Sequence, residues 1–556
     1  MRVQKSENGF VVRAVAGTHV VFLGWDIKAE ISQKNLLGFS IQRTDHTENE
    51  TYWLRGIKTF AETKPPLAPG EDASSHDQPY QTFQWGDYTA KAEHQYSYKI
   101  VARYGKPGAL KDGNSATIDI STETALGATH SVFFNRGAIA SQEYARRFQN
   151  VKPDKIGDAA YQWLSRGLFE AIVGFIQRAK TEDYGIRAAI YEFQWPGVLD
   201  ELKVAKDRGA DVKVVYDAIP NSKNDPVKKN DAAIAVARIK GICSKFTDGK
   251  IMHNKFFVLT KKGKAVAVLT GSTNISENGI FGHLNCAHIV ENGEIATAYL
   301  DYWEQLKEDP GGAVLREWTG NNTPAPDDPP QVGVTREFSP QVGTATLDAY
   351  GAIANRAEKG LFMTFAFGMN NVFLSVYEQK DNVLRFALMD KPGSGKSARQ
   401  QAADIARVRK LPNVLVAIGH NISVNSFDRW LKEISSPIDK ANVRWIHTKF
   451  MLVDPLSDDP IVITGSANFS DASTTTNEEN MLVIRGDTRV ADIYFGEYMR
   501  TFAHYAFREA VYIRQQQGVD AEDWKPQNLI SDATWLKRYT KSGSDGALRR
   551  LYFSGQ

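Results

Sequence analysis

The chain contains one pattern of polar residues twice. In each copy a Lys stands two residues after a His, a Gly eighteen after it and an Asn twenty-one after it. Nine residues match between positions 253–285 and 447–479 without a gap. An ungapped repeat is an internal duplication, so the chain is constrained to fold as two similar halves. The pattern comprises His253, Lys255, Gly271, Ser272 and Asn274 in the first copy, and His447, Lys449, Gly465, Ser466 and Asn468 in the second.

The His and Lys of each copy lie within an apolar run, which favours a β-strand. Alternate residues of a strand point to the same face, so the pattern predicts that both side chains share one face. A second apolar run then ends in Gly-Ser-x-Asn. The sequence therefore predicts that each copy gathers its polar groups at the ends of neighbouring strands.

These residues resemble the phospholipase D superfamily, whose signature is His-x-Lys-(four residues)-Asp with a downstream Gly-(Gly/Ser)-x-Asn, present twice. The second copy matches in full, with Asp454 at the Asp position, whereas the first copy has Thr260 there. The resemblance covers roughly residues 130 to 510. It implies an α/β fold of two pseudo-symmetric α/β/α halves, and it implies that Asp454 and Thr260 support the fold.

The repeated residues suit the cleavage of a phosphodiester. One imidazole can attack phosphorus while another protonates the leaving alkoxide from the opposite side. The resemblance implies that His253 is the nucleophile and that His447 is the acid and later the base. We expect Lys255 and Lys449 to place positive charge beside the phosphate oxygens, where preorganised electrostatics contributes most to catalysis.

The Gly-Ser-x-Asn segments are expected to bind the substrate. The Asn274 and Asn468 amides and the Ser272 and Ser466 hydroxyls would donate hydrogen bonds to the same oxygens. Gly271 and Gly465 belong to these segments. Because protein groups cover every role, we expect neither a metal ion nor a cofactor.

Each histidine needs a hydrogen-bond partner that fixes its tautomer. The resemblance implies that this partner is a carboxylate about thirty residues downstream. Glu479 stands thirty-two residues after His447, and Asn285 stands thirty-two after His253, so the resemblance implies these two pairs. Asn carries no charge, and such an exchange costs about 10⁴ in rate in the serine-protease triad. Local chemistry therefore favours His447 as nucleophile, whereas the resemblance implies His253.

The sequence predicts less about two residues that lie close to these partners. Only one of the adjacent residues Glu478 and Glu479 can face the site, so we expect Glu478 to be solvated. His283 is interpreted as structural or as part of the pocket rim.

Composition shifts divide the chain into five parts. Residues 1–127 read as strands and resemble a fibronectin type III or related β-sandwich. Residues 128–309 and 337–514 form the two α/β halves, with a continuous helix expected over 161–180. The Pro-rich segment 310–336 is predicted to be a linker. Residues 515–556 are expected to pack on the second half.

Composition is ordinary for a globular protein. The 556 residues are 42% hydrophobic and 24% charged, and the net charge of +2 gives no general attraction to a polyanion. Two cysteines are too few for a disulfide framework. The chain has no signal-peptide core and no run of ~20 apolar residues, so we expect a cytoplasmic protein, with signal-independent export left open.

We therefore expect a phosphodiesterase that hydrolyses or transphosphatidylates phospholipids through a phosphohistidine. The expected partner is a phospholipid or another phosphodiester, with peripheral membrane contact, and the expected assembly is a monomer. A metal-independent nuclease acting on nucleic acid is the first alternative. A non-catalytic phosphodiester-binding protein, suggested by Thr260 and Asn285, is the second.

Overall fold

The computed structural model describes residues 1–28, 30–67, 71–137, 141–149, 151–220, 226–366, 368–393, 397–419, 446–516 and 528–556. Within these residues the chain forms an N-terminal β region, two α/β halves and a C-terminal segment. None of the helices described has both the length and the apolar character that crossing a bilayer requires.

The N-terminal region contains two four-stranded sheets, ordered β1-β2-β3-β9 and β11-β10-β4-β5. Their shared core includes Trp25, Phe39 and Tyr98, all fully buried. The prediction that residues 1–127 consist largely of strands is therefore confirmed. The strands are β1 (Arg2–Glu7), β2 (Phe10–Ala16), β3 (Val21–Ile27), β4 (Leu36–Asp45), β5 (Glu50–Trp53), β6 (Arg55–Gly56), β7 (Thr59–Phe60), β8 (Ala73–Ser74), β9 (Gln84–Asp87), β10 (Gln95–Lys106) and β11 (Ala109–Ser121).

The first half contains a seven-stranded sheet with the order β12-β18-β17-β16-β13-β14-β15. Its strands are β12 (His130–Phe134), β13 (Tyr184–Ile190), β14 (Asp211–Asp217), β15 (Cys243–Phe246), β16 (Lys255–Lys261), β17 (Lys264–Gly271) and β18 (Cys286–Val290). Its helices are α1 (Ser141–Phe148), α2 (Pro153–Ile156), α3 (Asp158–Ser165), α4 (Leu168–Gln177), α5 (Pro196–Asp207), α6 (Pro226–Ala237) and α7 (Gly293–Glu308), with a short π-helical turn at Asn278–Gly282.

The second half repeats this sheet with the order β19-β25-β24-β23-β20-β21-β22. Its strands are β19 (Gly333–Ser339), β20 (Gly360–Phe365), β21 (Leu384–Met389), β22 (Val414–Ile418), β23 (Phe450–Val453), β24 (Ile461–Gly465) and β25 (Glu479–Arg485). The helix α8 (Gly312–Asn322) precedes it, and its own helices are α9 (Ala345–Asn355), α10 (Asn371–Tyr377), α11 (Ala398–Val408), α12 (Asp471–Thr475) and α13 (Thr488–Gln516).

The two sheets agree in topology as well as in strand order. In each, the first four neighbouring pairs are antiparallel and the last two are parallel. Each sheet has one face covered by helices of its own half and the other turned to a central core shared by both halves. The predicted fold class, two pseudo-symmetric α/β halves behind a β-sandwich, is confirmed.

Two expectations about segments between the strands were wrong. The helix predicted over 161–180 is two helices, α3 and α4, because Arg166 and Gly167 adopt left-handed backbone angles (φ 49° and 91°). The segment 310–336 is more than a linker, because it contains α8 and the first residues of β19.

The C-terminal segment does not pack on the second half alone. Its strand β26 (Asn528–Leu529) pairs with β7 of the N-terminal region, and Trp535 and Tyr539 enter the core between the N-terminal sheets. The last helices are α14 (Lys537–Thr540) and α15 (Asp545–Ser554). Phe553 of α15 contacts Phe22 of β3 and Phe386 of β21, so this segment joins the N-terminal region to the second half.

Candidate active site

Two backbone bridges join the halves beside the predicted histidines. Met252 pairs with Glu478, and Leu284 pairs with Ile446, both in parallel. The His253 N–H donates to the Glu478 carbonyl at 2.9 Å, and the His447 N–H donates to the Leu284 carbonyl at 3.3 Å. Each histidine therefore lies next to the partner residue carried by the opposite half.

The structure brings both histidines into one site. Their ring centroids are 6.3 Å apart with an interplanar angle of 71°. Both residues precede the strands on which they were expected, since β16 begins at Lys255 and β23 at Phe450. The duplicated pattern thus forms a single cleft at the boundary between the halves.

The predicted pairing of histidines with their partners was wrong, because the pairs cross between the halves. His253 Nδ1 lies 2.8 Å from Glu479 Oε2, and His447 Nδ1 lies 2.9 Å from Asn285 Oδ1. The physical reason is the pair of bridges, which places β25 of one half against the His of the other. His253 is consequently the histidine that is hydrogen-bonded to a carboxylate.

The pKa values of the site reflect the difference between the Glu479 and Asn285 partners. Burial lowers the pKa of His253 to about 4, although Glu479 opposes that shift. Burial also raises the pKa of Glu479, but His253 and Lys255 outweigh it and leave the pKa below its ordinary value. His253 is therefore neutral at pH 7, with Nδ1–H donated to a carboxylate and the Nε2 lone pair available.

Among the residues that the structure describes, His447 Nδ1 is paired with the Asn285 amide and with no carboxylate. Burial lowers its pKa well below the ordinary value, and the charges of Lys449 and of neighbouring histidines lower it further. An anion bound in the cleft would raise this pKa, because it favours the protonated imidazole. Protonation of His447 is thus coupled to the presence of a phosphate group.

Both lysines are buried beside their histidines. Lys449 Nζ donates to the His447 carbonyl at 2.5 Å, and Lys255 Nζ donates to the His253 carbonyl. Burial lowers the pKa of each ammonium group to about 7. A nearby anion stabilises the charged form of a buried ammonium group. The two lysines are therefore suited to bind a negatively charged group.

The two serines contact the partners of the histidines. The Ser272 hydroxyl donates to Asn285 Oδ1 at 2.8 Å, and the Ser466 hydroxyl hydrogen-bonds to Glu479. Their expected role in substrate binding stays a prediction. Both serines orient the partners of the histidines.

The glycines of the same segments have a packing role, and their expected part in substrate binding stays a prediction. A Cβ atom on Gly271 would clash with the Cys286 carbonyl, and one on Gly465 would clash with the Asn480 carbonyl. Glycine is required here because the strand ends approach each other closely. This approach brings each serine within reach of the partner residue on the next strand.

Asn274 and Asn468 retain polar atoms without assigned contacts. Their Oδ1 atoms are buried and have no hydrogen-bond partner among the described residues. Since which end of an amide carries oxygen is inferred from its contacts, either end can face a ligand. Both residues stay candidates for binding phosphate oxygens.

Asp454 and Thr260 lie at the far ends of their strands from the histidines. The Asp454 carboxylate accepts the backbone N–H groups of residues 358, 359 and 360, each at 2.8 Å. Thr260 is buried and pairs with Gly185 of β13. The first half thus has no carboxylate in the place where Asp454 anchors the chain before β20.

Glu478 was expected to be solvated and is instead fully buried. Neither of its carboxyl oxygens has a hydrogen-bond partner among the described residues. Burial raises its pKa to about 9, and the negative charges of Asp217 and Glu479 contribute. The side chain of Glu478, directly before β25, therefore points into protein where the halves meet.

Two aromatic residues flank the histidines differently on the two sides. Tyr191, which follows β13, has its ring 5.0 Å from that of His253. His283 has its ring 5.5 Å from that of His447 and is partly exposed. Tyr191 was missed from the sequence, although its place directly after an inner strand of the sheet was a usable signal.

One group of residues could hold a metal ion within the described ranges, and it is not in the cleft. Asp45, Glu48 and His94 of the N-terminal region offer ligand atoms close together. Asp45 already bonds His94 at 2.8 Å, and Glu48 bonds Lys91 at 2.6 Å. These contacts satisfy the three side chains by themselves.

A protein-family model agrees with this site. The model described as "Cardiolipin synthase, PLD-like domain" matches residues 172–307 and 414–504, which include both histidine motifs. The matched residues therefore correspond to a PLD-like domain. The domain is split into two segments, one in each half. A comparison with curated proteins finds no match.

Several solved structures are similar to parts of this chain. Phosphatidylserine synthase from Haemophilus influenzae Rd KW20 is 12% identical, with a TM-score of 0.42 over 65% of this chain and 92% of that one. The phospholipase D family member Nuc from Salmonella typhimurium is 26% identical over 25% of this chain and 87% of its own, with a TM-score of 0.22. The chain spans 46% of a polyphosphate kinase from Porphyromonas gingivalis (13% identity, TM-score 0.35, 58% of this chain).

Proposed function

We propose that this protein is a phosphodiesterase that cleaves phospholipids through a covalent phosphohistidine on His253. The observation that carries the proposal is the hydrogen bond between His253 and Glu479 across the two halves. It fixes the tautomer with a free Nε2 and stabilises the positive charge that develops as the N–P bond forms. The superfamily's usual nucleophile position and the local chemistry then favour the same histidine.

The first step forms a bond between His253 Nε2 and phosphorus and breaks the bond to the leaving alcohol. His447, protonated while the anion is bound, gives its proton to the leaving oxygen. Lys255 and Lys449 offset the charge on the non-bridging oxygens, and the Asn274 and Asn468 amides are placed to hydrogen-bond them.

The second step reverses these roles. Neutral His447 takes a proton from water or from an alcohol, and that oxygen attacks phosphorus as the bond to His253 breaks. Water gives hydrolysis, and an alcohol gives transfer of the phosphatidyl group. The substrate class is a phospholipid, and a nuclease activity of the same site is the competing outcome of the test.

The test is the formation of phosphatidylethanol from mixed phospholipids in ethanol and a chelator, beside a plasmid-nicking assay. Wild type should form product, whereas His253→Ala and His447→Ala should form none. Nicked plasmid without lipid product would overturn the lipid assignment in favour of a nuclease. Absence of product in both assays, together with measurable phosphodiester binding, would support the non-catalytic alternative.

A further inference from the structure

The two sides of the cleft differ in the side chains beside the reacting histidines. Equivalent positions of the repeats hold His283 and Asn477. Asn477 Nδ2 lies 3.4 Å from Glu479 Oε1, so it supports the partner of His253. His283 instead has its ring 5.5 Å from His447. The second half thus supports the nucleophile at this position, whereas the first places an additional imidazole beside the proposed acid.

The loop that carries His283 is held firmly. Asn135 is fully buried, and its side-chain amide donates to the carbonyls of Ile280 and His283 at 2.8 and 2.6 Å. Its Oδ1 atom accepts the backbone N–H of Asn285 at 3.0 Å. The same clamp therefore fixes His283 and the partner of His447, and such preorganisation is typical of groups that act on substrate.

The position of His283 defines which part of the substrate it meets. The nucleophile and the leaving oxygen lie on opposite sides of phosphorus, so the alcohol leaves on the side of His447. The partly exposed imidazole of His283, beside His447, is therefore on the side from which that alcohol would leave. An imidazole can donate or accept a hydrogen bond at a ring nitrogen.

We propose that His283 is a specificity-determining residue that hydrogen-bonds the alcohol portion of the diester and selects polyols over simple alkyl alcohols. This inference rests on the proposed function. The polyol is the leaving group in the first step and the acceptor in the second. A hydroxyl next to the reacting oxygen supplies the group that His283 contacts.

A competition between glycerol and 1-propanol tests the inference. Both alcohols, at equal concentration, share one pool of phosphoenzyme, so the product ratio reports only the acceptor side. Wild type should favour the glycerol product, and His283→Leu should lower the ratio about 3- to 10-fold, which one hydrogen bond accounts for. His283→Asn, which keeps a donor and an acceptor, should restore part of it.

The matched control is Asn477→Ala at the equivalent position of the other half. It should lower total product without moving the ratio, because Asn477 supports the nucleophile side. An unchanged ratio in His283→Leu would overturn the inference, as would a wild type that makes only the hydrolysis product. Absence of turnover by wild type would instead overturn the proposed function, and the inference with it.

Discussion

At the scale of single residues, the asymmetry between Glu479 and Asn285 is the main determinant of the chemistry. The two residues occupy equivalent positions, yet only Glu479 carries charge, and it lies behind His253. One histidine is thereby suited to stay neutral and attack phosphorus. Burial holds the pKa of the other well below its ordinary value, and a bound anion would raise that pKa.

Glu479→Gln should slow phosphoenzyme formation by about 10²–10⁴, the upper value being the cost of the comparable exchange in the serine-protease triad. Rapid-quench measurement of the phosphoenzyme tests this. Asn285→Asp is the matched change on the other side. It should raise the pKa of His447 and move the alkaline limb of the pH–rate profile upward. Equal effects of both variants on phosphoenzyme formation would contradict the assignment.

The buried lysines predict a pH dependence of anion binding. With pKa values of about 7, both lose most of their charge by pH 8 in the empty site. A bound oxyanion favours the ammonium form, so binding takes up protons, and affinity falls as pH rises from 7 to 9. Calorimetry of tungstate binding at pH 8, in buffers of different ionisation enthalpy, measures that uptake. Proton-neutral binding at pH 8 would refute the expectation, and Lys255→Met should reduce the uptake.

Glu478 predicts a pH dependence of stability. Its pKa of about 9 in the folded protein exceeds the ordinary value, so the folded state keeps a proton that the unfolded state loses. Stability therefore falls between about pH 5 and pH 9. Glu478→Gln should raise the melting temperature by several degrees at pH 8 and much less at pH 5. Glu317→Gln, at an exposed site, should leave the melting temperature unchanged. An equal shift for Glu478→Gln at both pH values would show that the protonation of Glu478 is not the cause.

At the scale of elements, the repeat made the components of the site predictable but not their pairing. Both partners stand thirty-two residues after a histidine, so spacing alone pairs each with the His of its own half. The crossed arrangement arises from the Met252–Glu478 and Leu284–Ile446 bridges. Those bridges exist only after the two sheets pack together, and no local pattern encodes them.

The same limit explains why Glu478 was wrongly expected to be solvated. Alternation along β25 correctly separates Glu478 from Glu479, because neighbouring side chains of a strand point to opposite faces. The sequence does not reveal whether the second face meets water or protein. Here it meets the interior between the halves, close to Asp217.

Asp454 gives a prediction for the element that it anchors. Asp454→Ala removes the acceptor for three backbone N–H groups before β20 and should lower the free energy of unfolding by about 1–3 kcal/mol. Chemical denaturation measures this. Asp459→Ala, which breaks an exposed ion pair with Arg485, is the control and should cost less than about 1 kcal/mol. Equal losses would show that Asp454 is not an anchor.

At the scale of the whole molecule, the C-terminal segment and α13 connect parts that the sequence suggested were separate. Tyr494, Phe495 and Tyr498 of α13 lie in the central core with residues of both halves and of the N-terminal region. The sequence led us to expect residues 515–556 to pack on the second half, and the described residues 528–556 contact the N-terminal region as well. Which surface it covers could not be predicted, because aromatic composition does not specify a partner.

Trp535 tests this connection. Its ring contacts Phe39 and Phe83, and its indole N–H donates to the Leu36 carbonyl at 2.9 Å. Trp535→Ala should destabilise the protein by about 3–5 kcal/mol, the usual cost of removing a buried large aromatic side chain. Leu551→Ala, at an exposed site in the same segment, should change stability little. Similar denaturation midpoints for both variants would contradict a core role for Trp535.

The most direct test of the account is to locate the covalent phosphoryl group. Enzyme quenched during turnover of a phospholipid is digested, and the modified peptide is identified by mass spectrometry. We expect an alkali-stable, acid-labile adduct on His253 that is absent from His253→Asn. An adduct on His447 would contradict the claim that the hydrogen bond to Glu479 makes His253 the nucleophile.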